Sequence, residues 1–203
     1  MGRQRSERAH ERVLVAAGRL FAEQGIDATS MDAIAEESGV SKATIYKHWP
    51  DKSALCLEVL SHLHTAEPLP PLRPTDDVRS DIVAFLERAP QKPRSDVRSR
   101  MMPHLWAYAV RTPAFGDIWR RRVIDPPKEG LVSLLRRAVD EGRLSADLDL
   151  EVAAIGLLGP LMYRNLARMT GGNPPADLAA RTVDTLWKAY GTTRPPRRAA
   201  PAR

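Results

Sequence analysis

The chain has 203 residues, 31 of them Lys or Arg and 25 Asp or Glu, with a net charge of +6, 43% hydrophobic and 28% charged residues. That length and apolar share suit one or two compact units with a real core and exclude a wholly disordered chain. No apolar run approaches a membrane span, no apolar stretch follows the charged start MGRQRSERAHER, and the lone Cys56 can make no internal disulfide.

These features predict no transmembrane helix and no secretory leader, and a cytoplasmic location. The positive charge does not sit where a nucleic-acid surface would first be sought. Residues 1–65 carry 8 basic and 9 acidic side chains, while the tail from Gly191 adds four arginines. Only local charge distribution can then matter.

The whole chain reads as helix. Val13, Ala16, Ala17, Leu20 and Phe21 recur on one helix face that Gly25 stops. Ser30 is placed to cap a short helix over 31–38 ended by Gly39. Ser41 is placed to cap another over 42–48, closed by Pro50. A fourth is expected over 52–65. The proline-rich PLPPLRPT (68–75) then reads as a stiff connector. The expected domains are 8–66 and 67–191, followed by a disordered basic tail over 192–203. Further helices are expected near 76–89, 95–111, 114–122, 127–141, 149–170 and 176–190. The helix over 95–111 is apolar on two faces, Met101, Leu105 and Tyr108 on one and Met102, Trp106 and Val110 on the other. That pattern predicts burial in a bundle centre, with a kink or restart at Pro103 and an exposed His104. No segment alternates with period two, so the fold class is all-α.

Residues 31–50 carry the most information. Two short helices joined by a glycine turn suggest a helix-turn-helix, with Ile34, Val40 and Ile45 forming its small core and Gly39 free to take the positive φ of a sharp turn. Lys42, Thr44, Tyr46, Lys47 and His48 are then presented within two turns, and these are types that meet phosphates and base edges. The same pattern also fits an ordinary helical hairpin with a polar outer face.

The stretch AAGRLFAEQGIDATSMDAIAEESGVSKATIYKHWPDKSAL resembles the N-terminal DNA-binding domain of the TetR family of bacterial transcriptional regulators. The resemblance spans about Arg8 to Leu60 and rests on Gly39, Val40, Ser41, Thr44, Ile45, Tyr46, His48, Trp49, Lys52 and Leu55. Trp49 stands where Phe is usual, and Ser38 where a small apolar residue is common. The resemblance implies that Ser30 binds a phosphate, that Thr44 and Tyr46 contact backbone phosphates, and that Lys42 and Ala43 face bases. His48 and Lys47 are further candidate contacts, and Lys52 is the phosphate-anchoring lysine. Arg3, Arg5 and Arg8 read as a frayed charged terminus, with a minor-groove arm as the alternative.

Beyond the proline-rich connector the likeness is looser and centres on residues 138–164. It implies a homodimer formed by the last two long helices, near 149–170 and 176–190. There Ala153, Ala154, Gly156 and Gly159 permit close approach, and Leu157, Leu158, Leu161 and Leu186 supply bulk. Met101, Met102, Leu105, Trp106, Tyr108 and Trp119 are candidate walls of an effector cavity, with Phe85, Phe115, Met162 and Tyr163 as further candidates. Each is equally at home in a plain core.

Enzyme readings fail. His10-Glu11 begins a zinc motif but Leu14 occupies the second ligand position, and His62 and His64 diverge around a helix. Cys56 lies beside Leu55 and Val59 and reads as core. No catalytic residue, metal site or cofactor is expected. The sequence therefore predicts a DNA-binding regulator, a repressor released from a pseudo-palindromic double-stranded operator by a small, largely apolar molecule. The alternative is an all-helical interaction module or enzyme that keeps the helix-turn-helix without regulatory DNA binding.

Overall fold

The computed structural model describes residues 2–65, 72–88 and 96–192, apart from the side chains of 2–5, 64 and 65. The side chains of Arg3 and Arg5, most of the proline-rich connector and the basic tail beyond Thr192 lie outside this description, whereas the backbone of residues 3 and 5 is helical rather than frayed. In chain order the helices are α1 (Gly2–Gln24), α2 (Met31–Ser38), α3 (Lys42–His48), α4 (Lys52–Thr65), α5 (Val78–Glu87), α6 (Val97–Arg111) and α7 (Pro113–Trp119). A π-helical turn at Arg120–Ile124 leads into α8 (Asp125–Asp140), followed by α9 (Leu150–Met169) and α10 (Leu178–Tyr190). Among the described residues the one β pairing is an isolated bridge, Leu144 with Gly191. The chain is all-α, with a helix-turn-helix at its N-terminal end. No described helix is long and apolar enough to cross a membrane.

Local signals explain the boundaries. Ser30 and Ser41 cap α2 and α3, and Asp77, Asp96 and Asp149 do the same for α5, α6 and α9. Helix α8 begins at Asp125, before the expected start at 127, because Pro126 and Pro127 fall in its first turn, where an N–H has no helical partner to lose.

The chain forms two compact units. The first contains residues 1–68 and 91–121, so α6 and α7 belong with α1–α4 although the proline-rich segment intervenes in sequence. Its core is built from Val13, Ala17, Phe21, Ile26, Ile34, Ile45, Leu55, Val59, Met101, Leu105 and Phe115. Helix α6 lies along α1. A Cβ on Gly18 would meet Val97 at 3.8 Å, and one on Gly25, at φ 91°, would meet the His104 ring at 2.9 Å. Arg111 pairs with Asp27, and Tyr108 Oη and Ser53 Oγ share a 2.8 Å hydrogen bond.

Three expectations for α6 are corrected by this packing. Its inward stripe is Met101, Leu105 and Tyr108, whereas Trp106 is 41% and Val110 80% exposed. One face, not two, is buried, because α6 meets α1 on one side only. The helix continues through Pro103 as one element, so it does not restart there; the helical hydrogen bond that proline cannot donate is lost on the exposed side, where water can serve the freed carbonyl. His104 is half-buried over Gly25 rather than exposed.

The second unit, residues 69–90 and 122–203, packs α5, α8, α9 and α10 around one aliphatic core. Val78, Ile82 and Leu86 meet Leu131, Leu135 and Ala138, together with Ala153, Ala154, Leu157, Leu161, Ala179 and Val183. Gly130 lets α8 approach the Phe85 ring, which a Cβ there would meet at 2.8 Å. The buried Asp81 accepts from Thr75 (N to Oδ2 3.0 Å, Oγ1 to Oδ1 2.8 Å) and pairs with Arg137.

Candidate nucleic-acid interface

Helix α3 is seven residues long, and only Ile45 points inward. Ile45 is held by Ile34 of α2 and Val40 of the turn, all three buried. That leaves Lys42, Ala43, Thr44, Tyr46, Lys47 and His48 exposed along one short rod. The turn that sets its angle depends on Gly39, which takes φ 62° and donates its N–H to the Glu36 carbonyl at 3.3 Å. Ser41 Oγ accepts the Thr44 N–H at 3.3 Å and shares a 2.8 Å hydrogen bond with Thr44 Oγ1. The Thr44 hydroxyl is thereby oriented before any ligand arrives. Ser30 Oγ accepts the Ala33 N–H at 3.0 Å, so its own O–H faces outward at the start of α2, where helical N–H groups favour an anion.

Both departures from the family pattern are accommodated. The buried Ser38 hydroxyl donates to the Ala35 carbonyl at 3.4 Å and accepts the Val40 N–H at 3.3 Å. Trp49, 2% exposed, donates its indole N–H to Glu58 Oε2 of α4 at 2.6 Å, a bond phenylalanine cannot make. The other Glu58 oxygen lies 2.6 Å from His10 Nε2 of α1. The His10 ring stands 4.6 Å from that of Trp49 and 5.6 Å, edge-on, from that of His48. The end of α3 is thus tied to α1 and α4 through one carboxylate.

Two candidate contacts have protein partners. Lys42 Nζ lies 2.7 Å from Asp32 Oδ1, a hydrogen bond that raises the lysine pKa and keeps it charged. Lys52 Nζ donates to the carbonyls of Asp27 and Thr29, each at 2.9 Å, and so pins the turn between α1 and α2. One of its three ammonium protons remains for another acceptor.

The cavity candidates divide. Met101, Leu105 and Tyr108 are buried on the inner side of α6, and Met102 is half-buried. Trp106 and Trp119 meet edge to face at 5.2 Å, and the Trp119 indole N–H is buried without a partner. Met162 and Tyr163 lie exposed on α9. Among the described residues no group of His, Cys, Asp or Glu could hold a metal ion. Burial pushes the Cys56 thiol up to about 12, so it stays protonated and inert. Sequence reading passed over Asp32, Glu58 and Arg164. The first two lack a local signature because their partners lie 9 to 48 residues away or on another helix. Arg164 did have one, an arginine in register with Leu157 and Leu161.

Residues 13–59 match the family model of bacterial regulatory proteins of the tetR family, and 72–186 match the tetracyclin repressor-like C-terminal domain. The HTH-type transcriptional regulator YdeS of Bacillus subtilis is 33% identical over 81% of this chain and 82% of its own. The DNA-binding transcriptional repressor TetR of Mycobacteroides abscessus is 27% identical over 90% and 93%. A TetR-family regulator from Mesorhizobium loti superposes with a TM-score of 0.70 at 24% identity, covering 93% of this chain and 99% of its own. A transcriptional regulator from Saccharomonospora viridis, solved in complex with choline, does so with 0.69 at 22% identity, covering 94% and 98%. The matched proteins are transcription regulators rather than enzymes. With an N-terminal model on the helix-turn-helix and a C-terminal model on more than half the chain, this protein belongs to the TetR family of DNA-binding transcriptional regulators.

Proposed function

We propose that the protein is a homodimeric repressor that holds a pseudo-palindromic operator and releases it when a small, largely apolar molecule binds. The observation that carries the reading is α3, which turns Ile45 inward and presents six small, polar or basic residues outward on a capped, glycine-set frame. In a dimer two such helices enter successive major grooves about 34–36 Å apart. Lys42 and Ala43 then face base edges, while Ser30, Thr44, Tyr46 and Lys52 engage phosphates, with Lys47 and His48 at the flank. DNA binding is assigned to 8–66 and effector binding with dimerisation to 67–191.

Assembly is supported by α9. Its inner face is buried in the second unit, yet Val152, Ile155, Met162, Tyr163 and Leu166 form an exposed apolar stripe at helical spacing. A Cβ on Gly156 or Gly159 would meet nothing within 4 Å, and a groove of about 660 Å³ runs beside them between α9 and α10. Small residues in an open stripe suit a second helix. Effector binding is supported by a neighbour of the same fold that takes choline. Helix α6 offers the link to DNA, because Tyr108, His104 and Arg111 all bear on Ser53 and the 25–27 turn beside the helix-turn-helix. A coupling of about 1–3 kcal/mol suffices to change occupancy.

Selection of bound fragments from random duplexes, followed by a release screen, tests the reading. A two-fold-symmetric consensus is expected. Binding with no sequence preference would turn the protein into an interaction module that merely keeps the fold.

A further inference from the structure

Along its inner face α9 places Ala153, Ala154, Leu157 and Leu161 in the aliphatic core, and then an arginine. Arg164 is 2% exposed. A guanidinium keeps its charge throughout the range in which the protein is folded, so titration cannot relieve its burial. Its Nε and Nη1 are buried and donate to nothing, which leaves three N–H bonds without acceptors. Glu87, at the end of α5, lies near enough to act on Arg164 by charge, yet no ion pair between them forms among the described residues. Arg168, one turn further along α9, repels it. Arg88, next to Glu87, has a buried Nε that also lacks an acceptor. A buried cation with no bonded anion is among the least favourable arrangements in a protein interior. Donors outnumber acceptors here, and an incoming anion would restore the balance.

We propose that Arg164 anchors the carboxylate of a small apolar acid, held where the C-terminal turn of α5 meets α9. The planar fork of N–H groups matches a carboxylate. The flanking Leu157 and Leu161 make the surroundings of the head group aliphatic. This rests on the ligand-responsive reading above and narrows the effector from an apolar molecule to an amphipathic acid. A phosphate head group shares the chemistry of recognition and is separated by the test.

The full-length protein is melted, and its release from a selected operator followed, with octanoate, benzoate, their uncharged amides and inorganic phosphate. At least one acid is expected to raise the melting temperature saturably, while its amide and phosphate do not. Arg164→Lys keeps the charge but loses the fork, so half-saturation should need about 10-fold more acid, the loss of one charge-assisted hydrogen bond. Arg164→Met should abolish the response and, without additive, melt no lower than the parent, because an unsatisfied charge has been removed. A much lower melt for Arg164→Met, matched by Glu87→Gln, would make Arg164 a structural ion pair and overturn the proposal. Equal shifts from acid and amide, no shift from either acid, or a shift from phosphate alone would overturn it too. An acid that binds through Arg164 without releasing DNA leaves this site standing and removes the ligand-responsive reading. Release by the amides alone does the reverse.

Discussion

Lys52 carries two roles that one substitution separates. Its ammonium group bonds the carbonyls of Asp27 and Thr29, each at 2.9 Å, and so closes the turn that leads into α2. Lys52→Met keeps the aliphatic stem and deletes both bonds. Charge-assisted hydrogen bonds of this kind contribute about 1.5–3 kcal/mol when well buried, and these are half exposed, so the pair together should cost about 1–3 kcal/mol. For a chain of this size that lowers the melting temperature by roughly 2–12 °C. The remaining proton is free for a phosphate, and losing one phosphate contact flattens the slope of log affinity against log salt by about 0.9. Over a fourfold rise in salt the variant should then lose roughly 3-fold less affinity than the parent. Calorimetry gives the first quantity. Fluorescence anisotropy from about 50 to 200 mM salt, on a selected operator and a scrambled duplex, gives the second. Affinity should fall alike on both duplexes. An unchanged melt would mean the carbonyl bonds contribute nothing, and an unchanged slope with lost sequence preference would mean Lys52 reads bases.

Asp32→Asn releases Lys42 from its exposed partner and removes an anion near the recognition helix, so affinity at low salt should rise by roughly 1.5–5-fold and converge with the parent at high salt; no change at low salt would keep Lys42 off the DNA. Asp81→Asn removes the carboxylate that pairs with Arg137, whose side chain is 27% exposed, so the cost should be about 2–3 kcal/mol, below that of a fully buried pair. Burial alone would raise the Asp81 pKa, but the bonds from Arg137 and Thr75 outweigh it and hold the carboxyl below its ordinary value. A lowered native pKa means the stabilisation is complete at neutral pH and is lost as pH falls below about 4. Melts across the acid range should therefore show a weaker pH dependence in the asparagine variant, and identical acid limbs would contradict the assignment. A Cβ at Gly156 or Gly159 meets nothing within 4 Å, so in Gly156→Trp and Gly159→Trp the helical spectrum should persist while sedimentation shows monomers and operator affinity drops; a normal dimer in both would place the interface elsewhere.

Much of the DNA-binding frame was determined by sequence alone, because its signals act within four residues. Ser30, Gly39 and Ser41 announce the ends of α2 and α3 through their own hydrogen bonds and φ angles, and those helices begin and end where the caps place them. The apolar spacing of Val13, Ala17 and Phe21 likewise selects the inner face of α1 whatever lies against it. Helix α6 was different. Its sequence is apolar on two sides, and only its lie along α1 decided that Met101 and Leu105 are core while Trp106 and Val110 face outward. The proline-rich segment likewise marked a break in the chain, but packing joined α6 and α7 to the helices before it. The bonds of Lys52 to the 27–29 turn and the bridge of Glu58 to His10 and Trp49 were beyond sequence reading for the same reason. Each depends on which helix arrives opposite a side chain, and that is settled by long-range packing rather than by any neighbour in sequence.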